Sequence, residues 1–112
     1  MREQIERFVA EIPKKEHILQ LVNKLDLIIK IEAKSGIFYL SFKDGKVVCH
    51  ETCIHNGYTA TISGTDALLD QLFEGDLKLL HGVKYNHLTI DCTFRDLLVL
   101  ESIFYLARPL PV

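Results

Sequence analysis

The chain has 112 residues, enough for one domain whose single core hides roughly two-thirds of the unfolded surface and too few for two independent ones. With 48% hydrophobic and 25% charged residues it has the balance of a globular protein, which excludes an intrinsically disordered chain. The formal charge of −2 divides into nine Lys/Arg against seven Asp/Glu over residues 1–46 and four against eight beyond, with no basic track of the kind nucleic acid requires.

The first residues, Met1 to Glu6, carry charge of both signs and read as a helix start, without the basic and apolar regions of a secretory signal. The expected location is cytoplasmic, and Cys49, Cys53 and Cys92, an odd number, are expected as reduced thiols. Ile5, Phe8, Val9 and Ile12 recur at helical spacing up to Pro13, which ends the first helix. After the charged break Lys14-Lys15-Glu16, a second amphipathic set, Ile18, Leu19, Leu21, Val22 and Leu25, predicts another short helix.

From Asp26 the pattern changes to β-branched and aromatic runs, Leu27–Glu32, Ile37–Phe42 and Lys46–His50, and predicts three strands. Ser35-Gly36 and Asp44-Gly45 supply turn residues for two antiparallel hairpins. A fourth strand is expected over Tyr58–Ser63. Ser63 or Thr65 can cap the helix that follows, Leu68, Leu69, Leu72 and Phe73 form its buried stripe, and Gly75 offers a left-handed stop. Asp76 to Asn86 is ambiguous. His87–Cys92 alternates as a fifth strand, and Thr93 with Asp96 resembles a capping box opening the last helix. The order argues an α+β domain over residues 1–112, a five-stranded, mainly antiparallel sheet covered by helices on one face.

No apolar run reaches the ~20 residues of a bilayer span, since Asp26, Lys30, Glu32 and Lys34 punctuate the first greasy stretch and Arg95, Asp96 and Glu101 the last. The last helix, Phe94 to Leu106, is nonetheless apolar on several sides. At about 100° per residue, Phe94, Leu98 and Tyr105 share one angle, Leu97, Leu100 and Phe104 fall to one side, and Val99, Ile103 and Leu106 lie roughly opposite. Such a helix calls for cover on two sides, by sheet plus ligand, sheet plus a second subunit, or neighbouring helices. Glu101 projects between Leu97 and Phe94 and is expected as a solvent-exposed carboxylate at the helix rim; if that face is covered it needs a partner, such as an Arg or a ligand hydroxyl.

Three stretches, Phe38-Tyr39-Leu40-Ser41-Phe42-Lys43-Asp44-Gly45-Lys46-Val47, Tyr58-Thr59-Ala60-Thr61-Ile62-Ser63-Gly64-Thr65-Asp66-Ala67-Leu68-Leu69 and Leu72-Phe73-Glu74-Gly75-Asp76-Leu77, carry a family pattern. From about Leu19 to Leu106 the chain resembles the sterol carrier protein-2 (SCP-2) like lipid-transfer domain. The resemblance implies an apolar tunnel between sheet and helices for a sterol, fatty acid or acyl-CoA ester, with the C-terminal helix near its mouth, and no cofactor or bond-making chemistry. Carried over by position, Leu68, Leu69, Leu72 and Phe73 are tunnel-wall candidates, and Phe94, Leu97, Leu98, Ile103 and Phe104 lid candidates, with Glu101 among them. The chain departs from the pattern where the family has a second helix and a Gly-rich exit: Leu77-Lys78-Leu79-Leu80-His81-Gly82 is short, and Gly82 is expected to precede the strand. The ending Arg108-Pro109-Leu110-Pro111-Val112 lacks a peroxisomal Ser-Lys-Leu address, so a bacterial-style stand-alone copy is expected.

Other chemistries fare worse on the residues. Cys49, His50, Cys53 and His55 form one tight cluster of metal-capable side chains, but Cys49 and His50 adjoin in a strand and should point to opposite faces, and no second Cys/His pair closes a four-ligand set, so no metal is expected. No phosphate loop, serine elbow or metalloprotease helix is present, which makes an enzyme the least favoured class. The alternative to lipid binding is a homodimeric interaction or accessory domain that uses the apolar last helix, without a lipid ligand.

Overall fold

The computed structural model describes residues 2–23, 26–43, 45–51 and 60–107. Helix α1 (Arg2–Glu11) runs into a 3-10 turn (Ile12–Lys14) that contains Pro13, and α2 (Glu16–Val22) follows. Pro13 ends α1 as its missing N–H requires, with Ile12 buried in the turn rather than in the helix. Leu25 and the side chain of Leu19 lie outside the described residues.

Strands β1 (Asp26–Ala33), β2 (Gly36–Lys43) and β3 (Lys46–His50) form the expected antiparallel meander. The first hairpin loop differs: Ala33 pairs with Gly36, so Lys34-Ser35 makes the turn and Gly36 opens β2. In the second, Gly45 takes φ 77°, a left-handed conformation that costs glycine nothing. Asp44 lies outside the described residues, as do Tyr58 and Thr59 of the expected fourth strand. Strand β4 is described over Ala60–Ser63, then come α3 (Asp66–Glu74), α4 (Leu79–Lys84), a β5 of three residues (Thr89–Asp91) and α5 (Phe94–Leu106).

The sheet order is β3-β2-β1-β4-β5. It is mixed, because β1 and β4 run parallel while the other three pairings are antiparallel. Register puts apolar side chains in rows across one face: Cys49, Leu40, Ile29 and Ala60 in one, Phe38, Ile31, Ile62 and Ile90 in the next. In these rows Leu40, Ile29, Ala60, Ile31 and Ile62 are buried, and Cys49, Phe38 and Ile90 pack against them. The opposite face carries Lys30 and Glu32, paired at 3.4 Å, with Tyr39 and His50 in register beside Lys30. All the helical core residues therefore meet one side of the sheet, as a period-two pattern demands.

Two of the helix starts expected from the sequence are made as expected. Thr65 Oγ1 accepts from the Leu68 N–H at 3.2 Å, and Thr93 Oγ1 from the Asp96 N–H at 3.2 Å. Gly75, at φ 85°, ends α3. The ambiguous stretch contains α4, and Gly82 sits inside that helix instead of preceding the strand. Gly82 has a reason to be glycine there: a Cβ would lie 2.8 Å from Leu88 Cδ1, and one on Gly64 would lie 2.7 Å from Leu88 Cδ2. Leu88, 3% exposed, is wedged between the two backbones. No helix among the described residues is long and apolar enough to cross a membrane.

Candidate functional site

Between the sheet and the helices three rings meet. Phe8 of α1 stacks on Phe104 of α5 at 5.0 Å between centroids, and Phe73 of α3 meets both edge-on at 5.3 and 5.4 Å. All three are buried, with Leu69, Leu72, Leu100 and Ile103 around them. Offset and edge-on pairs of this kind add about 0.5–1.5 kcal/mol each beyond the area they bury.

The nine apolar candidate residues separate into three groups. Leu69, Leu72, Phe73, Ile103 and Phe104 lie in the core, and Phe73 and Phe104 touch. Leu68 and Leu97 are half-buried at its margin. Phe94, at 72% exposed, and Leu98, at 44%, point away from the core together with Tyr105. The two-sided apolar character of α5 thus has one side buried in the core and an outer stripe that is exposed among the described residues.

Glu101 has a partner of a different kind from an Arg or a ligand hydroxyl. Its Oε2 accepts from the backbone N–H of Leu80 at 2.8 Å, in the first turn of α4. Lys78, at the N-cap position of α4, makes no side-chain cap, so the carboxylate of a neighbouring helix satisfies one of the orphan donors instead. Beside this contact lies a small cavity of about 10 Å³ between Leu77, Lys78 and Leu79 on one side and Glu101, Phe104 and Tyr105 on the other. Outside it, Leu68, Leu77, Lys78, His81 and His87 line an open cleft of about 420 Å³ between α3 and α4. A separate groove of about 400 Å³ runs between α1 and β3, along Val9, Ile12, Pro13, Val47 and Val48.

Both ends of helix α5 have their terminal backbone groups satisfied. Thr93 caps its start, and at its end Lys15 Nζ donates to the Leu106 carbonyl at 2.8 Å, where a cation suits the negative helix terminus. The first turn of α3 is tied to the β1–β2 hairpin: the Ser35 N–H donates to Asp66 Oδ1 at 3.1 Å and holds that carboxyl below its ordinary value.

The metal-capable cluster divides as its strand position requires. Cys49 pairs with Leu40 on the helix side and His50 with Tyr39 on the other, while Cys53 and His55 lie outside the described residues. Among the described residues no three His, Cys, Asp or Glu side chains converge as a metal site. Burial pushes the Cys92 thiol up, and the carboxylates of Asp96 and Asp91 push the same way, the reverse of what activates a thiol nucleophile.

The sequence marked Phe8 as part of an amphipathic face but gave no sign that it joins Phe73 and Phe104, which lie more than sixty residues away in the chain. Lys15 and Leu80 were likewise outside its candidates, because each acts through a contact distant in sequence.

No family model matches the sequence, and no curated protein does. Solved structures do match. The sterol carrier protein domain 2 of Helicoverpa armigera aligns with a TM-score of 0.78 at 14% identity, over 98% of this chain and 91% of that one. A ubiquinone synthesis protein, UbiJ-SCP2, aligns at 0.69 with 14% identity, over 88% and 82%. The apo form of sterol carrier protein 2 from Yarrowia lipolytica aligns at 0.67 with 14% identity, over 92% and 88%. At such identities the likeness is one of fold, and the fold is SCP-2-like.

Proposed function

From the sterol carrier protein-2 fold as premise, we propose that this chain is a single non-catalytic binding domain that carries an apolar ligand, of sterol, fatty acid or acyl-CoA-like chemistry, between its sheet and its helices. The observation that carries the reading is the ring cluster of Phe8, Phe73 and Phe104 beneath α5 in a fold similar to solved sterol carrier domains. Side chains of Leu, Ile and Phe offer burial and dispersion and no proton-transfer group, which suits carriage over bond-making. Ligand uptake in this reading requires the rings to part, with Leu69, Leu72, Phe73, Ile103 and Phe104 as the wall. Native mass spectrometry of freshly purified protein tests it, with an added mass of one lipid expected. No added mass, and no signal with fluorescent fatty acid and sterol probes, overturns it.

A second reading, self-association through α5, is favoured by the exposed stripe of Phe94, Leu98 and Tyr105. Light scattering across a hundredfold range of concentration tests it, and a constant monomer mass overturns it.

A further inference from the structure

We infer that α4 is the gate of the ligand space, latched at its N-terminal end by Glu101 and hinged at its C-terminal end; the inference rests on the carrier reading. The family resemblance makes α5 the expected lid, but α5 is anchored along its length: Leu100, Ile103 and Phe104 are buried in the core, and Lys15 holds the Leu106 carbonyl. Helix α4 is tied unequally. At its C-terminal end the N–H groups of His87 and Leu88 both donate to the Gly82 carbonyl, at 2.8 and 3.0 Å, and Leu88 is wedged against the Gly82 backbone.

Among the described residues, the N-terminal end of α4 is held to α5 by the Leu80 N–H on the Glu101 carboxylate, with the Lys78 ammonium 5.4 Å from the centre of the Tyr105 ring beside it. Turn residues flank the segment, with Gly75 at φ 85° and Asn86 at φ 60°, and hinges are built from such loop and element-terminal positions, which absorb changes in φ and ψ. Buried Leu77 and Leu79 keep the closed state favoured without ligand.

What lies behind the latch gives the gate its purpose. The cavity of about 10 Å³ is too small for a lipid, yet its inner wall is Phe104, one of the three rings under α5. Leu77 and Lys78 separate that cavity from the outer cleft and line both. Raising the N-terminal end of α4 therefore joins the cleft to Phe104 in one movement.

The test is the rate at which parinaric acid, a fluorescent fatty acid, enters the full chain in stopped flow. Glu101→Ala should speed uptake about five-fold, the usual value of one helix cap expressed as a rate, and hydrogen exchange at Leu79–Gly82 should quicken without lipid. Lys78→Ser added to Glu101→Ala gives α4 a cap of its own without a tie to α5; because it also removes the ammonium beside the Tyr105 ring, Lys78→Ser alone is the control and should leave uptake slow. The double variant should restore stability while uptake stays fast, and it stands in if Glu101→Ala alone folds poorly.

Uptake at the wild-type rate in both Glu101→Ala variants overturns the gate and leaves the carrier reading intact. A return to slow uptake on adding Lys78→Ser also overturns it, since the carboxylate then acts as a cap alone. No uptake by the wild type overturns the carrier reading and the gate with it.

Discussion

Lys15 reaches across the fold to Leu106: its ammonium donates to the last carbonyl of α5 at 2.8 Å, joining the break before α2 to the end of the chain's longest helix. A hydrogen bond to a charged donor at a helix C-terminus contributes about 1–2 kcal/mol. Lys15→Met keeps most of the aliphatic stem and removes the donor, so urea denaturation should show a loss of about that size. An unchanged midpoint would mean that the bond exchanges freely with water.

The ring cluster supplies the largest single-site effect. Phe104→Ala removes a buried ring that touches both Phe8 and Phe73, and should cost about 3–5 kcal/mol in thermal or chemical unfolding. The same truncation leaves room beneath α5, so parinaric acid should bind the folded variant at least as tightly as the wild type. Weaker binding at full occupancy of the folded state would show that the ring holds the ligand by contact instead of filling the space that the ligand needs.

Gly82 and Leu88 should be coupled. An alanine at position 82 gains about 1 kcal/mol in helix propensity but meets Leu88 Cδ1 at 2.8 Å, an overpacking that costs about 1–3 kcal/mol. Gly82→Ala is expected to destabilise the wild type and to stabilise the Leu88→Ala background. Additive effects in that double-mutant cycle would show that the wedge does not restrict position 82.

Asp66 makes stability depend on acid. Its folded-state carboxyl is lowered, mainly by the Ser35 N–H, so the contribution is complete above the ordinary carboxylate value of about 4 and is lost as pH falls through the folded one. Asp66→Asn should therefore lower stability at pH 7 and make much less difference once the Asp66 carboxyl is protonated in both the folded and the unfolded state. Urea midpoints for the two proteins that differ equally at pH 7 and pH 2 would contradict this.

The outer stripe of α5 behaves oppositely to the core. Leu98→Glu places a charge on a side chain that is already 44% exposed, and its effect on unfolding should stay within about 0.5 kcal/mol. If copies associate through α5, the same change should abolish the association seen by sedimentation at high concentration.

Features fixed by neighbours in the chain were legible before any coordinates. Thr65, Gly75 and Thr93 cap their helices as read, and the alternation of Leu27, Ile29 and Ile31 marks the covered face of β1. Helix α4 was not legible, and the reason is physical: its cap is supplied by Glu101, twenty-one positions later, so the local residues carry no start signal. Ser35-Gly36 looked like the turn because glycine tolerates any φ, but the register of β1 on β2 and the hydrogen bond from Ser35 to Asp66 set the loop one residue earlier. For the candidate site, the periodicity of α5 grouped Phe94, Leu98 and Tyr105, which share the exposed stripe, but did not show which way that side faces. It carried no information on which distant rings the inner ones would meet.

The sheet terminates in β3, five residues opening with Lys46 opposite Lys43, and in β5, of only three residues. An edge strand is a template for its own kind, and charge and shortness are the usual means of blunting it. With so little unpaired backbone in the described strands, fibre growth by strand upon strand has poor purchase here. Assembly between copies would have to be built from side chains, where a single substitution can permit or forbid it.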